Sequence, residues 1–446
     1  MDSGSPRPRL FDHRRITPKE LPGVLNKHIF TGALGTAWGN LIGGVLYVSF
    51  GNVIGMTQFQ WGILGAVSSW VIALQPLAAL MVDKAGSRKK VWFWSCFLER
   101  VLRAVGIFSS YLLWKTGHLN AALALMTGIT LGVLLGTFQG PPWYSWLADI
   151  VPPEIHGRFW GRRETWVSIA TIAAVVPASL LVDLVPESAK GDALAAVFAF
   201  TTVIGMIDVF VHVTIPEPEM RHVPPSRFFH RLQEPLRDPK FRPWLLFVLA
   251  WNFSMMLGYS LSNLYFLKDL RLRNNLFGMT MVMTVLTLLT GVLTARTSGR
   301  LIDKIGIQRV LYVGYILWSL IPVVWLFAVP STVLFWLAMA SLIGGSFSVA
   351  ANMAGIKLLT RTPPAESRTM YVAVSNTLGL LAQGVGAFLA GSFLEAFGSR
   401  SLRIVGLVVS GFPLVFIASA ALRLVSTLLL VPRIVVEPKG PGAKRS

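Results

Sequence analysis

Apolar residues run through this chain in stretches too long for strands and too unbroken for one face of a surface helix. The runs 121–138, 194–213, 311–329 and 404–422 carry a single carboxylate between them, Asp208. About 20 such residues in a helix cross a hydrocarbon core about 30 Å thick. Read with Gly, Pro and charge as punctuation, the pattern predicts twelve spans. Six fall at 28–50, 57–82, 90–114, 119–149, 162–184 and 192–214. Six more fall at 242–267, 275–296, 307–328, 331–358, 369–394 and 403–430. The expected fold is all-α, a polytopic membrane protein. Its parts are a leader at 1–27, a six-helix bundle at 28–214, a Pro- and charge-rich central loop at 215–241, a second bundle at 242–430 and a basic tail at 431–446.

Composition agrees. Of 446 residues, 53% are hydrophobic and 14% charged, with mean hydropathy +0.60. Soluble chains carry about 25% charged residues, so a water-soluble body is excluded. The net charge of +19 could suit nucleic acid, but the basic residues sit beside apolar spans, where they fix topology. With both termini inside, the inside segments hold about 30 of the 40 Lys and Arg and the outside loops about 7. That predicts a multi-pass protein of the cytoplasmic membrane with both termini cytoplasmic, and no nucleic-acid partner. The segment ahead of the first span has no small-residue cleavage site and reads as a retained leader. One cysteine, Cys96, excludes a disulfide framework and a cysteine metal site. The seven histidines show no metal spacing, and no nucleophile or phosphate-loop motif stands in a strand–helix context. No catalytic residue, metal or cofactor is expected.

The halves share signposts. After the second span comes Asp83-Lys84-Ala85-Gly86-Ser87-Arg88-Lys89-Lys90, and after the eighth Gly299-Arg300-Leu301-Ile302-Asp303-Lys304-Ile305-Gly306-Ile307-Gln308-Arg309. After the fourth comes Pro152-Pro153-Glu154-Ile155-His156-Gly157-Arg158, and after the tenth Pro363-Pro364-Ala365-Glu366-Ser367-Arg368. Paired signposts in register mark an internal duplication. With these loops the chain resembles the major facilitator superfamily over essentially its full length. The family pattern there is Gly-x-x-x-Asp-Arg/Lys-x-Gly-Arg/Lys-Arg/Lys. The second copy keeps the leading glycine as Gly299, whereas the first has Ala79. The stretch from Trp146-Leu147-Ala148-Asp149 to Arg158-Phe159-Trp160-Gly161-Arg162-Arg163 resembles a bacterial subgroup of unassigned substrate.

The resemblance implies two six-helix bundles related by a pseudo-twofold, around a cavity that opens alternately to each side. It also implies a cytoplasmic gate built from Asp83, Arg88, Arg158, Arg162, Asp303, Arg309 and Arg368. Within it, Asp83 would meet Arg368, and Asp303 would meet Arg158 or Arg162. The alternative is ordinary surface ion pairs, worth about 0–1 kcal/mol each.

Ionisable groups within spans are costly and therefore functional suspects. Span three carries Glu99, Arg100 and Arg103. Glu99 and Arg103 are four residues apart, so they can neutralise each other on one helix face. Span six carries Asp208, with His212 one turn on. Glu99, Arg103 and Asp208 are candidates for coupling to H+ or Na+, set against a structural ion-pair role. The resemblance places spans three and six outside the cavity. Arg423 is expected to snorkel at the end of span twelve.

Span one lacks a carboxylate and span five, from Glu164 to Asp183, lacks glycine, so a Gly-Pro antiporter motif is missing. This disfavours drug efflux and leaves proton symport, sodium symport and uniport open. By resemblance, candidate solute contacts are Trp38, Asn40, Gln139, Trp143 and Tyr144 in the first half. Those in the second are Asn252, Tyr259, Asn352, Asn376 and Gln383. Gly140-Pro141-Pro142 should break span four and free carbonyls there. Aromatic faces with amides suit a neutral hydroxylated or amphipathic solute such as a sugar. Interfacial Trp and Tyr and helix-joining amides are the structural alternative. The expected protein is a monomeric solute carrier in the lipid bilayer; the alternatives are a drug or metabolite efflux transporter, or a non-transporting sensor on the same fold.

Overall fold

The computed structural model describes residues 16–219, 228–361, 363, 368–404 and 407–434, and these are overwhelmingly helical. Two compact units divide the chain: Met1–Met56 with Leu74–Pro224, and Thr57–Ala73 with Pro225–Ser446. In order, the helices of the first half are α1 (Leu21–Gly43), α2 (Val45–Val53), α3 (Gln58–Ile72), α4 (Ala78–Ala85), α5 (Arg88–Lys115), α6 (Ala121–Gly136), α7 (Gly140–Ile150), α8 (His156–Leu184) and α9 (Lys190–His212). Those that follow are α10 (Phe228–Arg237), α11 (Arg242–Tyr259), α12 (Ser262–Lys268), α13 (Leu276–Thr280), α14 (Thr287–Ile305), α15 (Ile307–Ser319), α16 (Ile321–Trp325), α17 (Val333–Ile343), α18 (Val349–Arg361), α19 (Arg368–Phe397) and α20 (Gly411–Leu430).

Ten helices among the described residues are long and apolar enough to cross a membrane. The two other expected spans are occupied by α3 with α4 and by α5. The 28-residue α5 is long enough to cross but carries Glu99, Arg100 and Arg103 at its centre. Those groups are turned inward: Glu99 and Arg100 are each 4% exposed. On the same helix Val105 and Leu112 are 58% and 61% exposed, as a lipid-facing surface requires.

Small residues set how closely the helices approach. A Cβ on Gly106 of α5 would lie 2.7 Å from the Cα of Gly128 on α6. In the second unit, a Cβ on Gly62 of α3 would lie 2.7 Å from the Cα of Gly391 on α19. Backbones this close exclude any side chain and gain van der Waals contact instead. The second unit's interior is aromatic, with Phe247, Trp251 and Tyr315 packed at ring separations of 4.4–5.9 Å.

Span four breaks where its prolines predict. Helix α6 ends at Gly136, a 3-10 turn covers Thr137–Gln139, and α7 restarts at Gly140. Spans eight and ten contain wider π turns, Met281–Leu286 and Gly344–Ser348, a feature frequent at functional sites.

Two expectations are corrected. Span twelve starts at Gly411 rather than 403. Ahead of it, the β-branched stretch forms an antiparallel ribbon of β1 (Leu402–Ile404) and β2 (Leu407–Val409), with Arg403 opposite Val408. Arg423 does not snorkel. It is 0% exposed, because it shares a helix face with buried Ser419, Ser426 and Thr427.

Candidate functional site

The first unit contains a cavity of about 270 Å³ walled by α1, α5, α8, α9 and the broken span four. Helical phase brings its groups together. On α9 the buried positions Thr201, Gly205, Asp208 and His212 follow one stripe. On α8 the buried positions Phe159, Val167, Thr171 and Val175 do the same, and Arg163 stands one turn from each of the first two.

Asp208 is the carboxylate in this wall. Nη2 of Arg100 donates to its Oδ2 at 2.6 Å. The same guanidinium donates through Nε to the Gly205 carbonyl at 3.0 Å and through Nη1 to the Cys96 carbonyl at 3.3 Å. Its flat face lies 4.4 Å from the Trp38 ring, with Arg103 at 5.3 Å. Arg103 pairs with Glu99 at 2.7 Å across one helical turn. Gln139 joins the two layers, donating to Glu99 at 2.7 Å and accepting from the Cys96 thiol at 2.6 Å. Glycine makes room: a Cβ on Gly35 would stand 2.8 Å from Asp208 Oδ2. Every buried charge in this chain of contacts has a partner, which is what allows it in a low-dielectric interior.

Beyond Asp208, the His212 imidazole stacks on Trp92 at 4.2 Å and shares a 2.8 Å hydrogen bond through Nδ1 with the Thr31 hydroxyl. His28 meets the same ring edge-on at 4.8 Å. Arg163 is held between Trp143 at 5.1 Å and Trp160 at 5.3 Å.

Of the expected solute contacts, Trp38, Gln139 and Trp143 line this cavity. Asn40 turns away from it and donates to the Thr36 carbonyl at 2.9 Å. Tyr144 is 63% exposed, edge-on to Trp143. In the second unit, Gln383 donates to Asn252 at 2.7 Å, tying α19 to α11. Tyr259 lines a separate cavity of about 320 Å³ with Met255, Met256, Trp318 and Trp325. Asn352 and Asn376 are exposed on α18 and α19.

The residues expected at a gate differ from one another in their surroundings. Arg88 is buried and joins three segments of the first unit. It donates to Asp149 at 2.5 Å, to Ser145 at 3.2 Å and to Glu217. Glu217, wholly buried, accepts from the Arg88 backbone N–H at 2.7 Å and from the Ser87 hydroxyl at 2.6 Å, a carboxylate at the N-terminus of α5. Asp83, Arg158, Arg162 and Arg309 are exposed. Asp303 pairs with Lys357 of α18 at 2.6 Å. The side chain of Arg368 lies outside the described residues.

Sequence reasoning did not assign Arg100, Arg163 or Glu217 to a site. The stripe along α8 carries the signal for Arg163. Glu217 follows the last helix of the first half, and no periodicity reaches it.

The Major Facilitator Superfamily model matches residues 28–379 and again 254–446. No curated protein sequence matches the chain significantly. Among solved structures, a mutant of the nucleoside transporter NupG is similar over 93% of this chain and 100% of its own, at 14% identity and TM-score 0.66. The inward-open xylose transporter XylE from E. coli is similar over 94% of this chain and 98% of its own, at 13% identity and TM-score 0.66. A POT family transporter in complex with 5-aminolevulinic acid is similar over 96% of this chain and 99% of its own, at 13% identity and TM-score 0.64. At these identities the likeness is one of fold.

Proposed function

Because this chain belongs to the Major Facilitator Superfamily, we propose that it carries a small organic solute across the bilayer by alternating access, with the solute held in the cavity of the first unit. The observation that supports this most is the wall of that cavity. Ion-paired Arg100 and Asp208, an indole and an amide converge at the depth of apolar spans, where unneeded charge is costly. Trp38, Gln139 and Trp143 offer faces and an amide to the solute body. Asp208, held by Arg100, is the coupling residue for H+ or Na+, since it is the carboxylate that lines the cavity. Glu99 and Arg103 are a structural pair behind it. Asp83, Asp303 and the arginines of the paired loops form the cytoplasmic gate.

The test is uptake into proteoliposomes from a solute library, with and without imposed pH and sodium gradients. The reading requires accumulation of at least one solute, and Asp208→Asn should remove its gradient dependence while leaving membrane insertion intact. If no gradient alters uptake in the unmodified protein, coupling through Asp208 is wrong and uniport remains.

A further inference from the structure

The charges around the first-unit cavity do not cancel. Arg100 and Arg163 both line it, against one carboxylate, Asp208. Asp208 is committed to Arg100 at 2.6 Å, and Glu99 behind it is committed to Arg103 at 2.7 Å and to Gln139. Arg163 pairs through Nη1 with Glu164 at 3.0 Å, but that carboxylate is 61% exposed and lies outside the cavity wall. The Nε of Arg163 is buried and meets no acceptor among the described residues.

The way this guanidinium is held also matters. Indoles at 5.1 and 5.3 Å hold it, and Gly32 leaves its edge uncovered, since a Cβ there would stand 2.8 Å from Nη2. A guanidinium held by aromatic faces with donors to spare is arranged for a planar acceptor, which it engages through two parallel N–H groups. The second unit shows the same sign. Arg423, fully buried, donates to the Met255 carbonyl at 2.9 Å and lies 5.8 Å from the Trp251 ring, while its Nε and Nη1 have no partner among the described residues. Buried donors without partners are favourable only when an acceptor joins them, and a guanidinium favours an anionic one.

We propose that the solute is an organic anion, a small monocarboxylate whose acid group is received by Arg163 while its apolar or aromatic body lies against Trp38 and Trp143. This rests on the cavity being the solute site. Beside its bond to Glu164, the guanidinium keeps a buried, unpartnered Nε edge, which matches one carboxylate. A neutral sugar would offer that edge no charged acceptor, and a zwitterion would need a carboxylate for its amine, whereas Asp208 is already paired with Arg100. The volume of about 270 Å³ fits a compact acid.

The experiment uses the purified full-length chain and matched acid–amide pairs: benzoate with benzamide, nicotinate with nicotinamide, indole-3-acetate with indole-3-acetamide. Melting temperature is read for the unmodified protein, Arg163→Gln and Arg163→Lys. The expected result is that at least one acid raises it by about 3 °C and its amide does not. Arg163→Gln should erase the difference and Arg163→Lys should keep part of it. Should Arg163→Gln not be monodisperse, Gly32→Ala, which covers the guanidinium edge and keeps its charge, takes its place and should also erase the difference. Equal stabilisation by acid and amide, an acid effect that survives both variants, or no response to any acid overturns the anion assignment. A sugar or nucleoside that stabilises the protein, with the effect lost in Trp143→Ala, would do so while leaving the cavity as the solute site. Silence from every class, with no uptake in proteoliposomes, would remove both.

Discussion

Asp208 and Arg100 face each other at 2.6 Å with almost no exposure to solvent. Taking away one charge of such a pair leaves the other desolvated and alone, at a cost of about 3–5 kcal/mol. Asp208→Asn should therefore lower the melting temperature of the purified protein clearly. The double variant Asp208→Asn with Arg100→Gln, which abandons no charge, should recover part of the loss. Equal destabilisation of single and double variants would mean the two groups are not coupled. Trp38 adds a second dependence at this scale. Its ring lies 4.4 Å from Arg100 and 5.3 Å from Arg103, and a desolvated cation–π contact is worth up to about 2 kcal/mol. Trp38→Phe should retain much of the stability that Trp38→Ala loses.

Between elements, backbone proximity and end contacts decide stability. Gly106→Ala would drive a methyl group to 2.7 Å from Gly128 Cα, so α5 and α6 must part, which overpacking data put at about 1–3 kcal/mol. Glu217→Gln weakens the acceptor that holds Ser87 and Arg88 at the start of α5. Losing a charged hydrogen bond costs about 1.5–3 kcal/mol, and the fall in melting temperature should exceed that of an exposed change such as Asp83→Asn. The elements themselves were largely legible, because a bilayer forces long apolar runs and the prolines at 141 and 142 mark the break in span four. The Glu99–Arg103 pairing was legible too, being a matter of one helical turn. Partners distant in sequence were not. Arg100 reaches Asp208 across 108 positions and Arg88 reaches Glu217 across 129. Position along span twelve alone makes Arg423 a helix-end residue that snorkels. The small polar residues at 419, 426 and 427 on its own face were the signal that it turns inward.

For the molecule in its bilayer, the predictions concern sidedness. If the chain crosses twelve times with its basic loops inside, the turn at Gly117, after α5, falls on the outer face and the turn at Gly306, after α14, on the inner face. A fluorescent-protein or phosphatase reporter inserted at Gly117 should be active only as phosphatase, and one at Gly306 only as fluorescent protein. Matching signals at both turns would break the span count between them.

Cys96 is the chain's only cysteine. It is wholly buried, and its thiol is occupied by Gln139 beside the Glu99 layer. A membrane-permeant maleimide can reach that sulfur only when α5 and the broken span four separate, so the labelling rate of the unmodified protein is a built-in clock for opening at that seam. A bound solute that braces the cavity should slow the clock, with no engineered label required.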